Sequence, residues 1–109
     1  DHPYFVRDGD NLILELHISF PVAVLGGKIG IPTLDGKVGL KIPKGIQSGQ
    51  ILRLKGKGFP RIRSEHFGDQ LVKVQINTPK KLSRSTKGLI DDLKNNLYPI
   101  DNPFRKIEL

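Results

Sequence analysis

The stretch Leu25-Gly-Gly-Lys-Ile-Gly-Ile-Pro-Thr-Leu-Asp-Gly-Lys-Val-Gly-Leu-Lys-Ile-Pro-Lys-Gly, residues 25–45, constrains the fold most tightly. It reads as a strand, a tight turn and a second strand. Ile29 and Ile31 alternate with small or polar residues, as do Val38, Leu40 and Ile42, which is the period of two of half-buried strands. Between them Asp35-Gly36 is a short-range hairpin signal, because Gly36 can take the positive φ that a primed turn demands. Pro32 and Pro43 cannot donate a ladder hydrogen bond, so each belongs at a strand end, a bulge or an edge. The pattern predicts a hairpin with at least one poorly paired margin.

The clearest single strand precedes it. Leu12, Leu14, Leu16, Ile18 and Phe20 share one face, and Ile13, Glu15, His17 and Ser19 the other. Pro21 to Gly27 reads as one helical turn, with Pro at its start and Gly past its end. Asp8 and Asp10 form a D-x-D pair, but no Glu follows at calcium-loop spacing, so Arg7 to Asn11 is read as a plain turn. After the hairpin, Ile51, Leu52 and Leu54 begin a short strand, and Val72, Val74 and Ile76 mark another after Gly68-Asp69. The glycine-rich loop Lys55-Gly-Lys-Gly-Phe-Pro-Arg-Ile-Arg lacks both the spacing and the following helix of a phosphate-binding loop. Its glycines are read as backbone bends, with Phe59 as a packing anchor.

Ser83 is a candidate helix N-cap, and Leu89, Ile90, Leu93 and Leu97 follow at helical spacing. The order of elements predicts a mainly β fold: a small two-sheet β-sandwich with a short helical turn after the first strand and a C-terminal amphipathic helix. Two regions are expected, residues 1–82 as the sandwich and 83–109 as the helix and its tail. A terminal helix with an apolar stripe must cover something, and Tyr98-Pro99-Ile100 continues that stripe. The expected contact is with a second subunit, through Leu89, Ile90, Leu93, Leu97, Tyr98 and Ile100.

Composition narrows the chemistry. The 109 residues suit one domain with a real core. No Cys is present, which removes disulfides and thiolate metal sites and fits a reducing compartment. No apolar run is long enough to span a bilayer as a helix. With no Met either, the chain reads as a piece of a longer protein. The net charge of +7 is concentrated: no acidic residue occurs from Gly36 to Ser64, a window that holds Lys37, Lys41, Lys44, Arg53, Lys55, Lys57, Arg61 and Arg63. Such a patch favours anionic partners, RNA or an acidic protein tail among them. The aromatic residues are not interleaved with these charges as a base-stacking platform needs, and no nucleic-acid-binding module signature is present. No carboxylate pair, Ser-His-Asp set or Cys-His set suggests an enzyme.

Several ordered motifs carry a resemblance. His2-x-x-Phe5-x-Arg7-Asp8-Gly9-x-x-Leu12, Ala23-x-Leu25-Gly26-Gly27-x-Ile29-x-Ile31-Pro32-Thr33-Leu34-Asp35-Gly36, Lys41-Ile42-Pro43-x-Gly45-x-Gln47-x-Gly49, Leu54-x-Gly56-Lys57-Gly58-x-Pro60 and Gly68-Asp69 together resemble the C-terminal region of DnaJ-type (J-domain) co-chaperones. The match runs from His2 to Leu97 and is closest to the second of that region's two β-domains. The resemblance implies a cytoplasmic heat-shock co-chaperone fragment that binds unfolded or extended polypeptide clients, passes them to a DnaK-type chaperone ATPase and forms a homodimer through its C-terminal helix. It also implies what this piece lacks. The family's His-Pro-Asp signature is absent, since Tyr4 follows His2-Pro3, and so is its cysteine-rich zinc region. No cofactor is expected here. By analogy with the sister domain's pocket, Leu14 and Leu16 on the first strand and Ile29 and Ile31 on the hairpin would line a client groove beside an open sheet margin.

Overall fold

The computed structural model describes residues 4–62 and 65–108. Two compact units emerge, Asp1–Thr78 and Pro79–Leu109.

The first unit has two sheets. Strand β1 (Phe5–Asp8) turns at Gly9 into β2 (Asn11–Ser19). Short helix α1 (Phe20–Leu25) follows, with Pro in its first turn and Gly26 closing it at φ 76°. Strands β3 (Gly27–Thr33) and β4 (Gly36–Ile42) form the hairpin, and β5 (Ile51–Leu54) and β6 (Gln70–Asn77) complete the set. The four-stranded sheet runs β1-β2-β6-β5, with β2 and β6 parallel at its centre, and β3-β4 is a sheet of its own. A parallel pair needs a long crossover; here α1, the hairpin and β5 supply it. The expected two-sheet, mainly β architecture is the observed one, with β1 as an added edge strand that periodicity over so few residues did not mark.

The core lies on one face of each sheet. Leu14 and Ile18 of β2 and Val72 and Val74 of β6 cluster with Ile31, Leu40 and Ile42 of the hairpin, Ala23 of α1 and Ile46. Leu12 is buried as well. Phe20, placed on the strand face by alternation, instead begins α1 and stays exposed. Pro21 explains this, because its fixed φ suits the first helical turn and it has no N–H for a ladder.

The hairpin turns one residue earlier than Asp35-Gly36 implies. Thr33 pairs with Gly36, leaving Leu34 and Asp35 as the loop. The Thr33 hydroxyl makes the difference: it donates to the Gly36 carbonyl at 2.6 Å and accepts from the Asp35 N–H at 3.2 Å. Gly36 still has positive φ, 116°. Pro43 follows the end of β4, and Pro32 lies in a strand of a two-stranded sheet, where every strand is an edge.

The basic glycine-rich loop is strapped down by its own backbone. The Gly58 N–H donates to Gly68 at 2.9 Å, Phe59 N–H to Asp10 at 2.8 Å, and Gly68 N–H to Phe59 at 2.7 Å. A Cβ on Gly58 or Gly68 would collide with the Asp10 backbone, so both glycines allow close approach of chains. Amides committed in this way are not a phosphate cradle. Phe59 anchors the loop, with the Arg7 guanidinium 4.4 Å above its ring.

In the second unit, helix α2 spans Arg84–Asn96. Ser83 caps it by accepting from the Thr86 N–H at 3.2 Å. Lys94 lies in its last turn, where a cation complements the helix dipole. Residues 97–108 have no regular structure.

Candidate functional site

The hairpin β3-β4 is the site's frame. Its inward residues feed the core: Ile31, Leu40 and Ile42 are buried, and Ile29 and Val38 are half-buried. Its outward positions hold Lys28, Gly30 and Pro32 on β3 and Lys37, Gly39 and Lys41 on β4. Among the described residues no third strand joins this sheet.

The residues expected to line a client groove divide into two kinds. Leu14 and Ile31 are core residues, 6% and 1% exposed. Leu16 and Ile29 pack against the same core but remain half-exposed, so they have surface to offer a ligand. At the base of the hairpin a shallow depression has Leu25, Ile42 and Pro43 among its walls and Lys28, Lys41 and Lys44 about it. Gly26 shapes it, since a Cβ there would meet the Ile42 carbonyl at 2.7 Å.

The basic window is continuous in sequence but divided in the fold. Lys37 and Lys41 lie on β4 and Lys44 just beyond it, whereas Arg53 lies on β5 and Lys55, Lys57 and Arg61 in the loop after it. Arg63 falls outside the described residues. Arg53 is 3.3 Å from Asp69, an acid that lies outside the window in sequence. The same Asp69 accepts from the Gly56 N–H at 2.8 Å. Lys28, which precedes the window, joins the hairpin group because it pairs directly with Lys41. Hairpin register alone would have found it.

Two further residues escaped the sequence reading. Gln70 is fully buried and its Nε2 donates to the Pro32 carbonyl at 2.9 Å, tying β6 to the hairpin, while its Oε1 has no partner among the described residues. Asn11 accepts from the Asp69 N–H at 2.9 Å and holds the start of β6 against β2. Short polar residues at strand ends gave no periodic signal.

In the second unit no residue of α2 is buried. Leu89, Ile90, Leu97, Tyr98 and Ile100 are exposed, and Leu93 is half-exposed. Among the described residues no group of three His, Cys, Asp or Glu side chains could hold a metal ion, and no helix is long and apolar enough to cross a membrane.

Comparison with known proteins agrees with this frame. Residues 1–79 match the DnaJ C terminal domain family. The chain belongs to that family. It is 49% identical over 89 residues to the chaperone protein DnaJ of Ruminiclostridium cellulolyticum, covering 82% of this chain and 24% of the relative. It is 47% identical over 96 residues to the chaperone protein DnaJ of Fusobacterium nucleatum, covering 88% of this chain and 24% of the relative. The chain thus spans about a quarter of the length of these curated relatives. The DnaJ C-terminal domain is a non-enzymatic chaperone domain concerned with protein folding.

Proposed function

We propose that this DnaJ C-terminal domain holds unfolded or extended polypeptide along its hairpin margin, and that its C-terminal helix pairs it with a second copy. The observation that carries the reading is the two-stranded sheet itself: a strand edge with unpaired backbone groups can accept an added strand through main-chain hydrogen bonds indifferent to sequence. Leu16 and Ile29 supply apolar surface for alternate client side chains, with Leu14 and Ile31 as the floor beneath them. Delivery of the client to a DnaK-type chaperone ATPase in the cytoplasm would be the work of a protein of the relatives' full length, about a quarter of which this chain spans.

The test is capture of a labelled extended apolar peptide, followed by fluorescence anisotropy. Leu16→Ser and Ile29→Ser should each weaken capture about fivefold, the loss of partial burial of one aliphatic side chain, measured at a temperature where both variants remain folded and with a smaller loss of stability than Ile31→Ser. Ile31→Ser is the control, since it acts on the buried core and should lower stability first. Loss of capture that merely tracks the unfolded fraction in all three variants would sink the groove.

A further inference from the structure

Pro32 pairs with Lys37 across the hairpin but has no N–H, so this is a non-hydrogen-bonded pair. Alternation along an antiparallel ladder makes Gly30-Gly39 and Lys28-Lys41 pairs of the same kind. The C=O groups of all six residues, and the N–H groups of all but Pro32, therefore point away from the partner strand, toward the two margins. The β3 margin is engaged at Pro32, whose carbonyl accepts from Gln70. On the β4 margin no backbone hydrogen bond to Lys37, Gly39 or Lys41 from outside the hairpin occurs among the described residues.

The side chains along that margin are all cationic. Gly39 lies outside the positive-φ region, so its backbone does not require glycine. The Lys28 Cε would lie 2.5 Å from a Cβ at this position. Lys28 thus crosses from β3 and occupies the place of the missing side chain. Seen from the margin, the outward row reads Lys37, Lys28, Lys41, at steps of about 7 Å, two residues of strand. Among the described residues none of the three has an ion-pair partner. Lys28 directly opposite Lys41 is a like-charge pair, which destabilises a hairpin.

We propose that the β4 margin selects extended polypeptide with carboxylates at alternate positions, followed by an apolar residue at the base of the hairpin. The inference rests on the reading that the hairpin margin accepts an added strand, and it names the preferred class. An added strand sets alternate side chains opposite Lys37, Gly39 and Lys41, so its acids meet the lysine row. The depression bounded by Leu25 and Pro43 is also lined by Lys41, so it adjoins the end of the lysine row and offers apolar surface to a side chain beyond the acids. A polypeptide fits better than a nucleic acid, because the margin offers main-chain partners and the face carries no aromatic residue.

The experiment titrates the full chain with capped peptides that carry glutamate at alternate positions, valine between and a leucine at the end, against the same peptides with glutamine. The backbone amide resonances are followed at low and moderate salt. The glutamate peptide should shift Lys37, Gly39 and Lys41 and bind about tenfold tighter than the glutamine peptide, the summed effect of opposite-charge cross-strand pairs. Salt should shrink the advantage. Lys28→Gln, and Gly39→Ala through displacement of Lys28, should each remove about a threefold share of it, and Lys28→Gln should do so with no loss of melting temperature, since it also relieves the like-charge pair with Lys41. Equal binding of the two peptides, with β4 amides shifted by both, overturns the selectivity and leaves the open margin standing. Equal rejection of both, while an uncharged apolar peptide shifts β3 or β4 amides, shows that the lysines only guard the edge and also overturns it. If no peptide moves a β3 or β4 amide, the margin reading fails and this inference with it. Tighter binding of a single-stranded oligonucleotide to the same lysines overturns it in favour of nucleic acid.

Discussion

Two apolar surfaces in this chain have equally clean periodicity and different surroundings. On β2 and β6 the alternating face ends in Val72 and Val74, which no solvent reaches, because the hairpin supplies a second layer. On α2 and its C-cap the stripe through Leu89, Ile90 and Leu97 has exposures of 68%, 44% and 56%. Periodicity reports which face is apolar, whereas burial depends on whether a second surface exists to meet it. A face with its own second layer stabilises the unit that contains it. An exposed stripe has apolar surface left to offer a partner, and on that ground we propose self-association for the helix and client capture for the β unit.

The sharpest test of that contrast sets equivalent truncations side by side. Ile42→Ala removes a side chain that is 1% exposed and should lower the unfolding free energy by about 2–5 kcal/mol. Ile90→Ala, measured by urea unfolding at low protein concentration, should leave the β unit's transition in place. Equal losses would show that α2 contributes to the stability of the β unit and would break the comparison.

A smaller effect is expected at Gln70. Its Nε2 satisfies the Pro32 carbonyl, so Gln70→Ala leaves that carbonyl unpaired and should cost about 1–3 kcal/mol. The loss should be concentrated at the hairpin, read as faster amide exchange in β3 relative to β2. Uniform acceleration across both sheets would mean that Gln70 fills space and does not fasten the hairpin.

These two tests also mark what the sequence could disclose. Faces were legible: Leu12, Leu14 and Ile18, then Leu40 and Ile42, then Val72 and Val74, are buried on the sides that alternation assigns them. Cross-strand partners were not. Moving the loop from Asp35-Gly36 to Leu34-Asp35 changes every pair in the hairpin without moving a residue to the other face, because partners shift by two. The Thr33 hydroxyl sets that register by a local hydrogen bond, and hydrophobic pattern does not report such bonds. Lys28 went unnoticed as a member of the hairpin's charge for the same reason. The basic window was legible as composition, but the Arg53–Asp69 ion pair depends on β5 lying beside β6. Ser83 and the helix after it were readable because capping and helical spacing are both local.

Self-association comes next in size. Leu89→Ser with Leu97→Ser removes two exposed side chains of the stripe and should weaken dimerisation at least about tenfold, since each partly buried leucine contributes on the order of 1 kcal/mol or more to a contact. Sedimentation velocity over a concentration series measures it. A parent chain that stays monomeric at high concentration would remove the partner from the account of α2, and the exposed stripe would need another occupant.

The smallest effect separates helix formation from helix use. Gly88 lies within α2, and a Cβ there meets nothing within 4 Å. Gly88→Ala should therefore stabilise the helix by about 1 kcal/mol through backbone entropy alone. Circular dichroism should show more helix and the α2 amides should exchange more slowly, while the unfolding midpoint of the β unit stays fixed at low concentration. If self-association requires a formed helix, the same variant should tighten the dimer modestly, because less of the binding free energy is spent ordering α2. A more helical chain with unchanged association would mean that the stripe pairs through residues outside the helix, with Tyr98 and Ile100 the first to examine.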